Sequence, residues 1–251
     1  MPVKSVQNNY NERFKKNYLS FSNEKERLSK CLNDYLKDYK FDSFLDIGAG
    51  NGLVTEAIAK NFKEISIVEK EKSFCDELKQ KFKLACIKNE SILDVNFDEG
   101  KFDFILISHV LYYFPIHEWT SLLEKVFSWL KKDGQLMVVL VSRDSDWQTL
   151  MFDISRLLKI IPGCSYCPPE NFYKVFKGGA NEILSHDVTS DYRGSKDKLI
   201  SAIKDFLIEF PKEFILEEDN LKINEFIDKK YEDEEQLLLK NKNVLGIWKK
   251  C

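Results

Sequence analysis

Three glycines at alternate positions are the first residues in this sequence whose type and spacing could do chemistry. They lie in the segment Gly48-Ala49-Gly50-Asn51-Gly52, directly after the apolar run FLDI and before a helical pattern. Glycine has no Cβ, so its backbone can turn tightly and approach a ligand, while the start of the following helix offers unpaired N–H groups. The pattern therefore predicts a nucleotide-binding turn.

An acidic residue follows the next strand-like run. Glu69 ends the run ISIVE, 21 positions after Gly48, where a carboxylate can accept two hydrogen bonds from a ribose diol. This spacing fits either a dinucleotide or an adenosyl cofactor. A dinucleotide-binding G-x-G-x-x-G motif would place its third glycine at the next position after Gly52, and that position is Leu53.

The elements that must position these residues are short apolar runs that alternate with helical patterns from Phe41 onward. Continuous apolar runs joined by helical segments predict right-handed crossovers and a parallel sheet that is covered on both faces. Before Phe41, the sequence predicts two amphipathic helices. The predicted strands are FLDI, ISIVE, LACIK, FDFILIS and GQLMVVLVS.

After Ser142 the pattern predicts four further helices and two late strands. About fifty residues separate those two strands, which is too many for a hairpin loop and predicts a helical insertion. The helices are expected at Trp147–Ile161, Pro169–Phe176, Lys196–Phe210 and Leu221–Leu239, and the strands at ILSHDVTSDY and NVLGIWKK.

The composition excludes several other classes of protein. Lys+Arg 38 against Asp+Glu 41 gives a net charge of −3, so no overall positive field would hold a phosphate backbone, and we expect no nucleic-acid partner. The N-terminal segment has no apolar core, and the longest aliphatic run, LMVVLV, is too short to span a bilayer. We therefore expect a cytoplasmic protein without a membrane partner. Its six cysteines are expected to be reduced thiols.

One C-x-x-C segment, Cys164 to Cys167, could suggest a metal or redox site. A structural zinc site would need a second ligand pair, and a redox motif would need a helix start after the first cysteine. Pro168 and Pro169 follow instead. We therefore expect no metal.

Four segments in order resemble the class I S-adenosylmethionine (SAM) methyltransferases. They are the glycine turn, Glu69, the segment Asn89-Glu90-Ser91 after the third strand, and FDFILISHVLYYF. The resemblance implies a Rossmann-like seven-stranded sheet with helices on both faces, with SAM as cofactor and S-adenosylhomocysteine (SAH) as product. It assigns to the cofactor Asp46, Gly48, Ala49, Gly50, Gly52, Glu69, Lys70, Glu90, Ser91, Ser108 and His109.

A narrower resemblance concerns the methyl acceptor. The segments HVLYYF and VVLVSRDSDWQTL are similar to those that line the substrate pocket of the histamine N-methyltransferase family. From the chemistry of methyl transfer at these positions we expect catalytic roles for His109, Tyr112 and Glu24. The resemblance assigns to the substrate Tyr10, Phe14, Glu24, His109, Tyr112, Tyr113, Trp147, Met151, Phe206 and Asn241.

Three positions depart from that family. His109 stands where the family has a glutamine that contacts substrate, Met151 replaces a tryptophan, and Phe74 replaces a glutamine that contacts the cofactor. The acceptor can therefore differ from the family's own. The fourth motif also lacks the Asp/Asn-Pro-Pro-aromatic pattern with which amino-directed nucleic-acid methyltransferases hold a base, a second reason to expect no nucleic acid.

The resulting expectation is transfer of a methyl group from SAM to a nitrogen of a small amine or imidazole by in-line displacement. Aromatic faces attract cations and pack planar rings, which suits such an acceptor. Three alternatives stay open: an O- or N-methyltransferase of a biosynthetic pathway, a peptide or protein methyltransferase, and a cofactor-binding module without catalysis. We expect a monomer or weak dimer.

The resemblance also implies a domain organisation. Residues 1–42 would form an N-terminal helical cap and residues 43–191 the SAM-binding domain. Residues 192–240 would form a helical insertion on the substrate side, and residues 241–251 the last strand of the Rossmann-like domain. The two helical pieces are expected to cover the acceptor.

Overall fold

The computed structural model describes residues 18–159, 176, 183–209, 217–232 and 234–250, without the side chains of 183–186 and 206–209. The first predicted helix, with Tyr10 and Phe14, and the C-x-x-C segment lie outside these residues.

Seven strands form one sheet in the order β3-β2-β1-β4-β5-β7-β6. Strands β1 to β5 pair in parallel, whereas β7 runs antiparallel to β5. The predicted Rossmann-like seven-stranded sheet is confirmed. The strands are β1 (Ser43–Ile47), β2 (Glu64–Val68), β3 (Cys86–Lys88), β4 (Phe102–Ser108), β5 (Leu130–Val141), β6 (Ile183–Gly194) and β7 (Leu237–Lys249).

Seven α-helices are present in the part of the chain that the structure describes. Short 3-10 turns at Ala59–Asn61 and Leu111–Tyr113 add to them. The helices are α1 (Glu24–Leu36), α2 (Leu53–Ile58), α3 (Lys72–Lys81), α4 (Ile116–Ser128), α5 (Asp146–Leu158), α6 (Lys196–Glu209) and α7 (Glu217–Lys230).

The chain divides into two compact units. The first, called the helical unit here, comprises Met1–Glu24, Arg143–Cys164 and Thr189–Asn241. The second, called the sheet unit, comprises Lys25–Ser142, Ser165–Val188 and Lys242–Cys251. Helix α1 beyond its first residue therefore groups with the sheet unit, and each unit has its own hydrophobic core.

The sheet unit buries both faces of its central strands. Successive side chains in a strand point to opposite faces, and β1 follows this rule: Leu45 and Ile47 belong to one apolar cluster, and Phe44 belongs to another. All five residues of β1 are buried. The prediction of a sheet covered on both faces is confirmed, and it places the ends of these strands, rather than their faces, at the surface.

The helical unit is held together by apolar stripes at helical spacing. On α5, Trp147, Leu150, Met151 and Ile154 are buried in one cluster. Residues of α6 and α7 join the same cluster: Leu199, Ile200, Ala202, Ile203, Ile223 and Ile227.

The helix predicted for Leu221–Leu239 is wrong at its end. Helix α7 ends at Lys230, and Leu237 already begins β7. The reason is an alternation that favours a strand: Leu237 and Leu239 are buried while Leu238 between them is exposed. Such a two-residue period does not suit a helix.

Among the described residues, no helix has both the length and the apolar character that crossing a membrane would require. Within the same ranges, no group of three or more His, Cys, Asp or Glu side chains is arranged to hold a metal ion.

Candidate active site

The glycine turn follows β1 and needs glycine for two different reasons. Gly48, Gly50 and Gly52 all have positive φ, at 72°, 56° and 72°, a region that side chains disfavour. At Gly48 a Cβ would also lie 2.2 Å from Cγ2 of Val110. The turn closes with a 3.0 Å hydrogen bond from the amide of Gly52 to the carbonyl of Ala49. Backbone conformation and close packing together explain the motif.

Gly50 differs from its neighbours because space is open beside it. A Cβ built there would meet nothing within 4 Å. Its backbone amide donates a 2.8 Å hydrogen bond to Oε2 of Glu69. The middle of the turn is thus fixed to the end of β2 on one side and accessible on the other, as a turn that receives a ligand requires.

Glu69 is a buried carboxylate, 6% exposed, with two backbone donors. Oε2 accepts from Gly50, and Oε1 accepts a 2.9 Å hydrogen bond from the amide of Glu71. Burial raises the pKa of this carboxyl, and the two backbone hydrogen bonds oppose that rise. Because a carboxylate has about four acceptor positions, both oxygens keep lone pairs for hydroxyl donors such as those of a ribose.

The turn after β2 is braced by Asn89 of the segment after β3. Its Nδ2 donates to the carbonyl oxygens of Glu69 at 3.0 Å and Lys70 at 2.8 Å. No separate role for Asn89 is predicted from the sequence. Of the two adenine candidates beside it, Glu90 is exposed, and Ser91 Oγ accepts a hydrogen bond from the amide of Leu93.

Lys70 and Tyr113 meet across the same edge of the sheet. Lys70 Nζ lies 4.8 Å from the centroid of the Tyr113 ring, a cation–π geometry. Tyr113 is partly exposed and belongs to the 3-10 turn after β4. The segments after β2 and β4 are therefore linked.

Asp46 lies inside the sheet rather than at the open side of the turn. Its Oδ2 accepts a 2.6 Å hydrogen bond from the hydroxyl of Thr55 on α2. Burial raises the pKa of Asp46 to about 6, against the effect of this hydrogen bond. The residue ties β1 to the helix that begins after the glycine turn.

The end of β4 brings together three candidates. Ser108 Oγ is buried and has no hydrogen-bond partner. His109 adopts a φ of 58°, which is uncommon outside glycine, and its ring stacks on Tyr112 with centroids 6.2 Å apart. The Tyr112 hydroxyl in turn accepts a hydrogen bond from the amide of Val141 on β5. A buried orphan hydroxyl beside a left-handed histidine is a combination found at functional sites.

The helical unit contains a second group of candidates, which we call the carboxylate–aromatic cluster: Tyr18, Glu24 and Trp147. The Tyr18 hydroxyl donates a 2.5 Å hydrogen bond to Oε2 of Glu24, which is 3% exposed. The Tyr18 ring meets the Trp147 ring edge to face at 6.5 Å. Two candidates chosen from distant parts of the sequence, Glu24 and Trp147, therefore share one cluster.

Three other residues that were predicted to bind the substrate lie outside this cluster. Met151 is buried in the core of the helical unit. Asn241 accepts a 3.2 Å hydrogen bond from the amide of Trp147, so its side chain holds the start of α5. Phe206 lies on α6, and its side chain is outside the described residues.

Two buried polar side chains were missed in the sequence. Asn243 on β7 is fully buried, and neither Oδ1 nor Nδ2 has a hydrogen-bond partner. Ser190 on β6 is 3% exposed, and its Oγ is also unpartnered. Their sequence signal is a polar residue at a strand position whose side chain points into the protein. This signal can be recognised only once the strand register shows which positions point inward.

Comparison with known proteins adds the family to this geometry. Residues 9–178 match the family described as a methyltransferase domain, which covers well over half of the chain. The chain belongs to this methyltransferase family. It is an enzyme, and its sheet is that of the SAM-dependent methyltransferases. Among the curated proteins, none matches this chain.

Solved structures with the same fold include three of known source or activity, each covering most of both chains. A SAM-dependent methyltransferase from Archaeoglobus fulgidus is 16% identical, with a TM-score of 0.57 over 90% of this chain and 94% of that one. The YcgJ protein from Bacillus subtilis is 16% identical, with a TM-score of 0.58 over 88% and 99%. The N-methyltransferase NodS from Bradyrhizobium japonicum, in complex with SAH, is 15% identical, with a TM-score of 0.55 over 90% and 86%. At these identities the likeness concerns the fold.

Proposed function

We propose that the enzyme transfers a methyl group from SAM to a nitrogen of a small amine or imidazole. The observation that carries the choice of acceptor is the carboxylate–aromatic cluster, in which the buried carboxylate of Glu24 accepts from the hydroxyl of Tyr18 and the Tyr18 ring meets Trp147. A buried carboxylate favours a cationic partner, and aromatic rings add cation–π attraction of about 0.5–2 kcal/mol. The sequence resemblance to the histamine N-methyltransferase family supports the same choice.

The sheet unit has features that fit SAM. Open space beside Gly50 leaves room for the ligand, Glu69 keeps acceptor lone pairs for the ribose, and the buried hydroxyl of Ser108 lacks a partner. We assign the turn at Gly48–Gly52 and Glu69 to the adenosine portion, Glu90 or Ser91 to the adenine and Ser108 to the methionine portion. When bound, SAM supplies a methyl group on a sulfonium, which a nucleophile takes by in-line displacement.

The tasks of the side chains follow from this chemistry. Alignment of the attacking nitrogen can supply most of the acceleration, because effective molarities correspond to roughly 7–11 kcal/mol. The attacking nitrogen must be unprotonated. In the sheet unit, Tyr112 holds the His109 ring by stacking, so that the His109 imidazole keeps one orientation. In the helical unit, Glu24 would bind a positively charged nitrogen of the acceptor, with Trp147 against its apolar part.

Two measurements test the proposal. Calorimetry with SAH tests the cofactor, and turnover with SAM against amines, imidazoles, phenols and peptides tests the acceptor. Methylation of an amine or imidazole nitrogen, lost in Glu24→Gln with SAH binding retained, is the expected result. Turnover confined to phenols or peptides would contradict the acceptor assignment, and failure to bind SAH would contradict the cofactor.

A further inference from the structure

Ser190 is a buried hydroxyl that the fold does not use. It is 3% exposed, yet its Oγ has no hydrogen-bond partner. Leaving a buried polar group without a hydrogen bond destabilises the folded state. A small residue such as alanine would fill the same space without that destabilisation. The serine therefore points to a ligand that completes its hydrogen bonding.

The register of the chain places Ser190 beside the carboxylate–aromatic cluster. Ser22 pairs with Tyr192 in an antiparallel bridge. The amide of Asn23 donates to the carbonyl of Asp191 at 3.1 Å, one step further along. Glu24, which begins α1, follows Asn23, and Ser190 precedes Asp191, so this hydrogen bond brings the backbones of Glu24 and Ser190 near each other.

The face of β6 on which Ser190 lies agrees with this placement. Residues two apart in a strand share a face, so Ser190 and Tyr192 point to the same side. The Tyr192 ring lies 6.0 Å from the Trp147 ring. Thr189 points to the other side and is exposed. The unpartnered hydroxyl of Ser190 thus lies on the same face of β6 as Tyr192, whose ring is next to Trp147 of the cluster.

We propose that Ser190 is a specificity-determining residue that, together with Glu24, selects acceptors carrying a primary amine. This inference rests on the proposed function. A protonated primary amine has three N–H donors, so it can donate one hydrogen bond to the Glu24 carboxylate and another to Ser190 Oγ. A tertiary ammonium has a single N–H and can serve only one of them. Hydrogen bonds to charged groups contribute about 1.5–3 kcal/mol, which corresponds to roughly tenfold or more in affinity.

The probes are 2-phenylethylamine and histamine, each compared with its derivative dimethylated on the side-chain nitrogen. Binding is measured by calorimetry on the full chain saturated with SAH. For the wild type we expect the primary amine of at least one pair to bind about tenfold more tightly than its dimethylated derivative. In Ser190→Ala this ratio should fall close to one, through weaker binding of the primary amine. Thr189→Ala, on the other face of the strand, should keep the wild-type ratio.

Each possible result of these binding measurements either supports or overturns the inference. An unchanged ratio in Ser190→Ala, or equal binding of both amines by the wild type, overturns the inference while the proposed function stands. Binding of SAH without binding of any of the four amines overturns the inference and the amine assignment together. Ser190→Ala should melt no lower than the wild type, since it removes an unsatisfied hydroxyl. Ser190→Cys, with a weaker acceptor in the same shape, provides a second variant and should lower the ratio as well.

Discussion

The backbone amide of Gly50 and the carboxylate of Glu69 are joined by a 2.8 Å hydrogen bond. This bond fixes the middle of the glycine turn to the end of β2, so the two parts of the proposed cofactor site hold one geometry. A substitution at either residue should therefore change the affinity for the cofactor more than the affinity for the acceptor.

Glu69→Gln should weaken SAH binding by an order of magnitude or more. The amide keeps the shape of the side chain but loses the negative charge and one acceptor oxygen, and hydrogen bonds to charged groups contribute about 1.5–3 kcal/mol. Calorimetry with SAH measures the effect. Glu64→Gln, at the exposed start of the same strand, is the matched control and should bind as the wild type does. If the wild type and both variants bind SAH with equal affinity, Glu69 does not bind the ribose.

Substitution of Gly48 should mainly affect stability, whereas substitution of Gly50 should mainly affect cofactor binding. Gly48→Ala should lower the melting temperature strongly, because its methyl group would collide with Val110 at 2.2 Å. Gly50→Ala should cost only about 1–2 kcal/mol for its left-handed backbone but should weaken SAH binding, since its methyl group enters the open space beside the turn. Thermal melting and calorimetry separate the two effects.

A second substitution tests the cause at Gly48. Val110→Ala removes the colliding methyl groups, so the double variant should recover part of the stability that Gly48→Ala loses. A double variant as unstable as the sum of the two single variants would show that the collision is not the reason for this glycine.

Much of the fold could be predicted because its signals are local. Strand β4 coincides with the apolar run FDFILIS, and the glycine spacing marks the turn after β1. The polar residues of β7 show what local signals cannot decide. Asn241 and Asn243 are two residues apart, and only the packed structure shows that Asn241 binds the start of α5 while Asn243 is buried without a partner. The same limit hid Ser190, whose importance depends on a register with residues far away in sequence.

The stability of the protein should depend on pH through Asp46. Burial raises the pKa of Asp46 from 3.8 to about 6, so the neutral carboxyl favours the folded state. Its contribution is fully present below about pH 4 and is lost as the pH rises through 6, a change of about 3 kcal/mol for about two units. Asp46→Asn removes this titration. Between pH 4 and pH 8, the unfolding free energy of Asp46→Asn relative to the wild type should therefore increase.

Thr55 provides the companion variant for this experiment. Its hydrogen bond lowers the pKa of Asp46, so Thr55→Val should move the pH-dependent loss of stability to higher pH. Denaturant unfolding across the pH range measures both variants. A difference between Asp46→Asn and the wild type that stays constant with pH would contradict the assignment.

Trp147→Phe should raise the KM for the acceptor about three- to tenfold and leave SAH affinity unchanged. Tryptophan is the strongest cation–π partner, and Trp147 lies against Tyr18 in the carboxylate–aromatic cluster. Because Trp147 is 8% exposed and belongs to a core, a loss of stability is expected as well. Trp119→Phe, in the core of the sheet unit, is the control for that loss. It should destabilise the enzyme without a selective change in acceptor KM.

Part of the candidate site is held in place by hydrogen bonds before a ligand binds. The side chain of Asn89 spans from the segment after β3 to the carbonyl oxygens of Glu69 and Lys70. These two residues are therefore preorganised, and little conformational entropy is left to lose when a ribose binds beside them. An amide at position 89 would in this way contribute to the affinity for a nucleoside that it never touches.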